Sequence, residues 1–196
     1  WIDIKAADGG TFQGYLAVPT QGKGPGIVLI QEIFGVNHHI RAVADQYALD
    51  GFTVLAPDLF WRMKPRYETG YSDADLQAGI GMMQKMDFGK CVGDIGAAVG
   101  ALRGMKEVTG KVASLGYCMG GLLSYIAAAN LGVDASVCYY GVIGEGQFGD
   151  LQMARRQAIE ARLAESQARL DANEARYRLL LDAHALWALD GDQHEH

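Results

Sequence analysis

The run Gly116-Tyr117-Cys118-Met119-Gly120-Gly121 sets a nucleophilic side chain among small residues, where an apolar stretch ends and a helical one begins. A Gly-x-nucleophile-x-Gly elbow is a tight strand-to-helix turn. Its small residues let the nucleophile project from a crowded backbone, and the amide after it can stabilise an oxyanion. The chemistry such a turn serves is acyl transfer. Cysteine must act there as a thiolate, because the neutral thiol is a poor nucleophile near neutral pH. The N-terminus of the helix that opens at Met119 favours the anion. The competing reading is a small buried cysteine, and the two glycines that follow Cys118 argue against it. Cys91 and Cys138 have no such context and read as buried.

Glu32 directly follows an apolar run. That brings it to the carboxyl end of a parallel sheet, where open α/β folds place their sites. Its alternative is a surface carboxylate in a loop. The pair His38-His39 could suggest a metal site or a base. Adjacent residues on a helix point about 100° apart, so they chelate poorly and read as a solvent-facing pair. Three cysteines at unrelated spacings offer neither a disulfide framework nor a metal pattern, and they suit a reducing cytoplasm.

The elements that must position these residues alternate. Residues 11–18 and 26–31 read as strands, the second a continuous apolar run of the buried type. Residues 36–49 read as a helix with Asn37 as a cap and Gly51 at its end. A strand over 52–56 closes at Pro57-Asp58. Helices are predicted over 73–86, capped by Ser72 or Asp73, and over 92–102. The strand 111–116 enters the elbow, the helix 119–130 leaves it, and 135–140 is a further strand. Repeated β-α-β units predict an α/β fold: a mostly parallel sheet with helices on both faces.

The 196 residues suffice for one domain with a sizeable core, and 49% hydrophobic content with 20% charged residues is that of a globular protein. A net charge of −6 argues against nucleic acid as a partner, because phosphate contacts need a basic face. No apolar run approaches the roughly 18 residues that a membrane-spanning helix requires. The start, Trp1-Ile2-Asp3, is neither an initiating methionine nor a signal peptide, and reads as a fragment or a processed end.

Composition changes near Asp150. Of 26 glycines only Gly191 lies beyond it, and no lysine or proline does, which divides the chain into 1–149 and 150–196. Between Asp150 and Asp190, the residues Ile159, Leu163, Ser166, Leu170, Asn173, Tyr177, Leu181 and His184 recur at three- and four-residue steps. That spacing predicts a long amphipathic helix, packed on its own domain or paired with a second copy.

Five motifs in order carry a resemblance. They are Gln31-Glu32-Ile33-Phe34-Gly35-Val36-Asn37, Ala56-Pro57-Asp58-Leu59-Phe60, Gly110-Lys111-Val112, the Cys118 elbow, and Tyr139-Tyr140-Gly141-Val142. Over residues 3–146 the chain resembles the dienelactone hydrolases, or carboxymethylenebutenolidases, a branch of the α/β-hydrolase fold. The resemblance implies that Cys118 is the nucleophile forming a thioester acyl-enzyme on a small ester or lactone. It further implies that Glu32 interacts with the resting thiol, and that the Ile33 and Met119 amides form the oxyanion hole. No metal or organic cofactor is implied. For Asn37, Arg41, Asp58 and Tyr140, which also fall in matching stretches, the favoured roles are capping, strand-end hydrogen bonds and packing.

Beyond residue 146 the pattern departs from the family. The family's triad aspartate and its histidine, in a Gly-His motif, have no counterpart. His184, His194 and His196 are the imidazoles that remain there. Nor does the segment 73–81 hold an arginine like the one that binds substrate carboxylate in some members; Arg62 and Arg66 are near only in sequence. The tail is accounted for by a shifted frame or a join, by a genuine dimerising helix, or by partner residues from a second chain. The resulting expectation is a cytoplasmic cysteine-dependent hydrolase with an incomplete core. The alternative is a non-catalytic interaction or dimerisation protein on an inherited hydrolase core.

Overall fold

The apolar run Ile27-Val28-Leu29-Ile30 lies at the centre of the sheet, buried on both faces. The computed structural model describes residues 1–141. The strands are β1 (Ile2–Lys5), β2 (Thr11–Ala17), β3 (Gly24–Ile30), β4 (Thr53–Pro57), β5 (Val108–Tyr117) and β6 (Ala135–Tyr139). The helices are α1 (His38–Leu49), α2 (Asp73–Lys85), α3 (Phe88–Arg103) and α4 (Met119–Asn130). The sheet order is β1-β2-β4-β3-β5-β6. Its β3–β4, β3–β5 and β5–β6 pairings are parallel, whereas β1–β2 and β2–β4 are antiparallel. The fold is therefore a mixed α/β sheet, parallel where the elbow sits and antiparallel at the β1 edge. The short strand β1 had no signal of its own; it is specified by pairing Ile2–Lys5 with Thr11–Gly14.

Alternation along β3 sends side chains to opposite faces. Ile27 and Leu29 pack with Ile40, Ala44 and Ala48 of α1, together with Val54, Ala56 and Leu115. On the other face Gly26 lies against Val112 and Leu102 of α3, and Ser114 hydrogen-bonds Ser124 of α4 at 2.9 Å. Val28, Leu29 and Ile30 are fully buried. Each contributes about 1.5–3 kcal/mol of burial.

Caps set the helix starts. The Asn37 side chain accepts from Ile40 N at 3.1 Å, so α1 opens at His38 rather than at residue 36. Ser72 and Asp75 form a reciprocal capping box on α2. Asp87 accepts from Lys90 N at 3.1 Å, and α3 therefore begins at Phe88, four residues before the expected 92. The apolar spacing that marked this helix begins only where it meets the core, at Cys91 and Ile95.

Buried Asp58 closes the β4 exit, accepting from Phe60 N at 3.0 Å and from Arg66 N at 2.6 Å, where Arg66 takes φ 58°. Burial pushes its carboxyl up, and the two amides oppose that push. Asn at this position would turn an amide donor on one of those N–H groups. We expect Asp58→Asn to destabilise the protein by about 1–3 kcal/mol, read as a lower urea midpoint. An unchanged midpoint would show that the turn is held otherwise.

The division at residue 149, the amphipathic helix expected between Asp150 and Asp190 and the incompleteness of the core lie outside the described residues. Among the described residues no helix is long and apolar enough to cross a membrane.

Candidate active site

Register alone brings the two chemical residues together. Ile30, the last residue of β3, pairs with Gly116 of β5. Glu32 and Cys118 each follow two residues later, so both emerge at the same carboxyl edge of the parallel strands. Tyr139, the last residue of β6, pairs with Tyr117, which adds Tyr140 to that edge.

Cys118 stands at φ 55° and ψ −119°, a conformation that non-glycine residues rarely adopt and that functional turns retain. It occupies the N-cap of α4, yet its side chain makes no capping bond. Its carbonyl accepts from Gly121 N at 2.9 Å and Leu122 N at 3.2 Å, starting the helix, while its own N–H donates to Tyr139 O at 3.0 Å. The backbone is thus pinned on both sides and the thiol, half-buried, is left to project. The glycines are steric requirements. A Cβ on Gly120 would collide with the Ile30 and Gln31 carbonyls, and one on Gly121 with the Tyr139 carbonyl. Among the described residues, neither the Ile33 nor the Met119 N–H is taken by another group.

Glu32 is 8% exposed. Tyr71 donates its hydroxyl to Oε2 at 3.0 Å, and Tyr140 donates to Oε1 at 3.0 Å. One hydroxyl on each oxygen satisfies a carboxylate that has lost most of its water. The neighbouring Gln31, fully buried, accepts from Leu59 N at 3.1 Å and ties the exit of β3 to that of β4. Tyr140 is 62% exposed overall, but its hydroxyl end is tucked onto Glu32. Loss of water there, then the bond to Glu32 and its charge, then the nearby Cys118, push the phenol up to about 12. Loss of water likewise raises Tyr71, opposed by the amide of Asn37 and reinforced by the Glu32 charge.

Tyr71 arrives on the segment 67–72, which is stitched to the residues after Glu32. Thr69 N donates to Phe34 O at 3.1 Å, Gly35 pairs with Glu68, and Arg41 bonds both Glu68 and Val36 O. Gly35 has φ 81°, and a Cβ there would strike the Tyr67 carbonyl. Asp75 accepts from Ser72 and Thr69, which holds its carboxyl down at about 2. A depressed carboxyl contributes stability that is complete above its ordinary value near 3.8 and is lost as pH falls towards about 2. We therefore expect exchange protection of the Ser72 and Asp75 amides to decline across that window, and the decline to vanish in Asp75→Asn.

His38 and His39 are both exposed, and the His39 ring stands edge-on to Tyr71 with centroids 6.2 Å apart. Among the described residues no cluster of His, Cys, Asp and Glu could hold a metal ion. Arg62 is engaged by Asp94 at 2.8 and 3.0 Å and by Asp8 at 2.6 Å, and Arg66 lies over the Trp1 ring. Neither is bonded to Glu32 or Cys118. Of the other cysteines, Cys91 is buried as expected. Cys138 is exposed, because β6 is the outer strand of the described sheet. Tyr140, for which capping, strand-end hydrogen bonding or packing was expected, donates its hydroxyl to Glu32 just beyond the end of β6. Tyr71 carried no signal in the sequence, since only the fold of 67–72 brings it to the site.

Similarity to known proteins follows the same residues. The sequence model of the dienelactone hydrolase family matches residues 12–176, so the family match runs beyond residue 146, where the resemblance was expected to end. A carboxymethylenebutenolidase from Pseudomonas sp. is 38% identical over 142 residues, covering 72% of this chain and 60% of that protein. Carboxymethylenebutenolidase 1 from Cupriavidus pinatubonensis is 34% identical over 142 residues, covering 72% and 61%. This chain therefore spans about 60% of the length of these curated relatives. A crystal structure from Klebsiella pneumoniae, assigned as a dienelactone hydrolase, superposes with TM-score 0.62 at 26% identity, covering 74% of this chain and 61% of that one. With the elbow cysteine and the buried glutamate at one sheet edge, and the family match running through both, the chain belongs to the dienelactone hydrolase family.

Proposed function

We propose that this chain hydrolyses small esters or lactones through Cys118. The observation that carries the reading is the Cys118 elbow, held at a left-handed φ and sharing the edge of the sheet with Glu32. The thiolate sulfur attacks the carbonyl carbon and a C–S bond forms. The carbonyl oxygen becomes an oxyanion that accepts from the Ile33 and Met119 N–H groups. Collapse restores the carbonyl, breaks the C–O bond to the leaving group, and leaves a thioester on Cys118. Water then attacks the thioester and the C–S bond breaks, restoring the thiolate; one hydrogen of the water leaves on the carboxylic acid and the other protonates the departed alkoxide. Glu32, held by two tyrosine hydroxyls, sets the charge around the thiol. Relatives named carboxymethylenebutenolidases and, in Bradyrhizobium, a lactonase support the ester and lactone class.

The proposal places the chain in a reducing cytoplasm, with residues 1–149 carrying the site and residues 150–196 pairing two copies. Size-exclusion with and without the tail tests that pairing. The reaction itself is tested by release of a chromophore from an activated small ester, wild type against Cys118→Ala. A Cys118-dependent burst is expected, and equal rates in the two proteins would sink the reading.

A further inference from the structure

We propose that Tyr71, its hydroxyl proton aimed by Asn37, is a positioning residue that fixes Glu32 and partly disperses its charge beside the Cys118 thiol. The inference rests on the reading of Cys118 as the nucleophile.

The argument begins with Asn37, whose amide orientation follows from its partners. Its oxygen accepts from Ile40 N at 3.1 Å, and its nitrogen donates to the Thr69 carbonyl at 3.2 Å. A backbone N–H can only donate and a carbonyl can only accept, so the amide cannot be flipped. The same nitrogen donates to the Tyr71 hydroxyl at 3.2 Å. That hydroxyl then has one proton to place, and Glu32 Oε2 stands 3.0 Å away. Asn37 thus does two jobs: it caps α1 and makes Tyr71 a donor towards Glu32. The Tyr71 ring is held independently by Phe34, with centroids 4.6 Å apart.

The consequence for the thiol is electrostatic. Glu32 and Cys118 leave paired strands at the same edge, and Tyr140, whose hydroxyl binds Glu32, directly follows Tyr139, whose carbonyl accepts from the Cys118 N–H. A carboxylate beside a thiol opposes formation of the thiolate, and hydroxyl donors disperse that negative charge. With Tyr71 removed, Glu32 retains only the Tyr140 hydroxyl on its side chain. Its field on Cys118 then grows, and its Oε2 loses a fixed direction.

The test uses the full chain and iodoacetamide, with modification of Cys118 read by peptide mass spectrometry so that exposed Cys138 does not interfere. In alkylation the C–I bond breaks as the C–S bond forms, so the rate reports the thiolate. Tyr71→Phe should slow Cys118 alkylation about three- to tenfold at neutral pH, the size of the ordinary net contribution of one hydrogen bond. The ultraviolet absorbance of the thiolate should fall with it. Asn37→Asp keeps the helix cap but leaves Tyr71 free to turn its proton away from Glu32, so it should slow alkylation in the same direction. In a Glu32→Gln background, adding Tyr71→Phe should change nothing. Wild-type alkylation in Tyr71→Phe, or equal slowing with and without Glu32, would overturn the inference. An ester burst independent of Cys118 would instead sink the proposed function, while the alkylation rates still judge the role of Tyr71.

Discussion

We expect Cys118→Ala to abolish the burst of product from an activated ester, a loss on the order of 10³-fold or more, because on the proposed reading Cys118 is the group that takes up the acyl chain. On the proposed reading, wild type is expected to give one rapid turnover and then slow. Formation of the thioester needs a sulfur nucleophile, oxyanion donors and a good leaving group; on the proposed reading Cys118 and the Ile33 and Met119 amides supply the first two, and the activated ester supplies the third. Deacylation needs a base to take a proton from water, and such a group is worth about 10²–10⁴-fold. Among the described residues the imidazoles are those of His38 and His39, which are exposed on α1 and make no hydrogen bond to Cys118. The expected trace is therefore a burst near one equivalent of Cys118, followed by a rate lower by about that factor. A thioester trapped by acid quench and found on the Cys118 peptide would confirm the intermediate. Fast steady turnover that still depends on Cys118 would show that an imidazole beyond residue 141, among His184, His194 and His196, completes the site.

The parts of this site that were legible in the sequence are those governed by local chemistry. The elbow could be read because backbone crowding restricts its residue types, so Gly116, Gly120 and Gly121 mark it in one dimension. Glu32 could be read because an apolar strand delivers it to the carboxyl edge. Asn37 and Ser72 mark their helix starts by the same local logic, as capping side chains. What escaped depended on distance along the chain. Tyr71 lies 39 residues from Glu32, and its placement follows from the bonds of Thr69 to Phe34 and Asn37. Tyr140 lies 108 residues from Glu32 and reaches it because β6 pairs with β5. Strand β1 escaped for a similar reason, being four residues whose pairing rather than pattern makes them a strand. The composition break near Asp150 is plain in the sequence, and its structural meaning lies outside the described residues.

Gly116→Ala is the second large effect, and it tests the elbow from the side of the fold. Gly116 sits in β5 between Ile30 of β3 and Cys138 of β6, so its backbone cannot move without the middle of the sheet moving. A Cβ there would stand on the Gly120 carbonyl, far inside van der Waals contact, with the Gly121 nitrogen 2.9 Å away. These obstacles are backbone atoms of the first turn of α4, and no rotamer change relieves them. Shifting α4 would move the Met119 amide and break the bonds that Gly121 and Leu122 make to the Cys118 carbonyl. We expect a destabilisation of about 3 kcal/mol or more, read by urea unfolding, and loss of the ester burst in whatever protein still folds. Gly93→Ala is the control: in α3 its added methyl meets nothing within 4 Å, and the same exchange should stabilise by about 0.5–1 kcal/mol. The opposite signs follow from one methyl group placed against backbone in one case and open space in the other. Wild-type stability and burst in Gly116→Ala would mean that the helix does not press on the strand at the nucleophile, and the geometry that gathers the thiol and the Met119 amide would have to be abandoned.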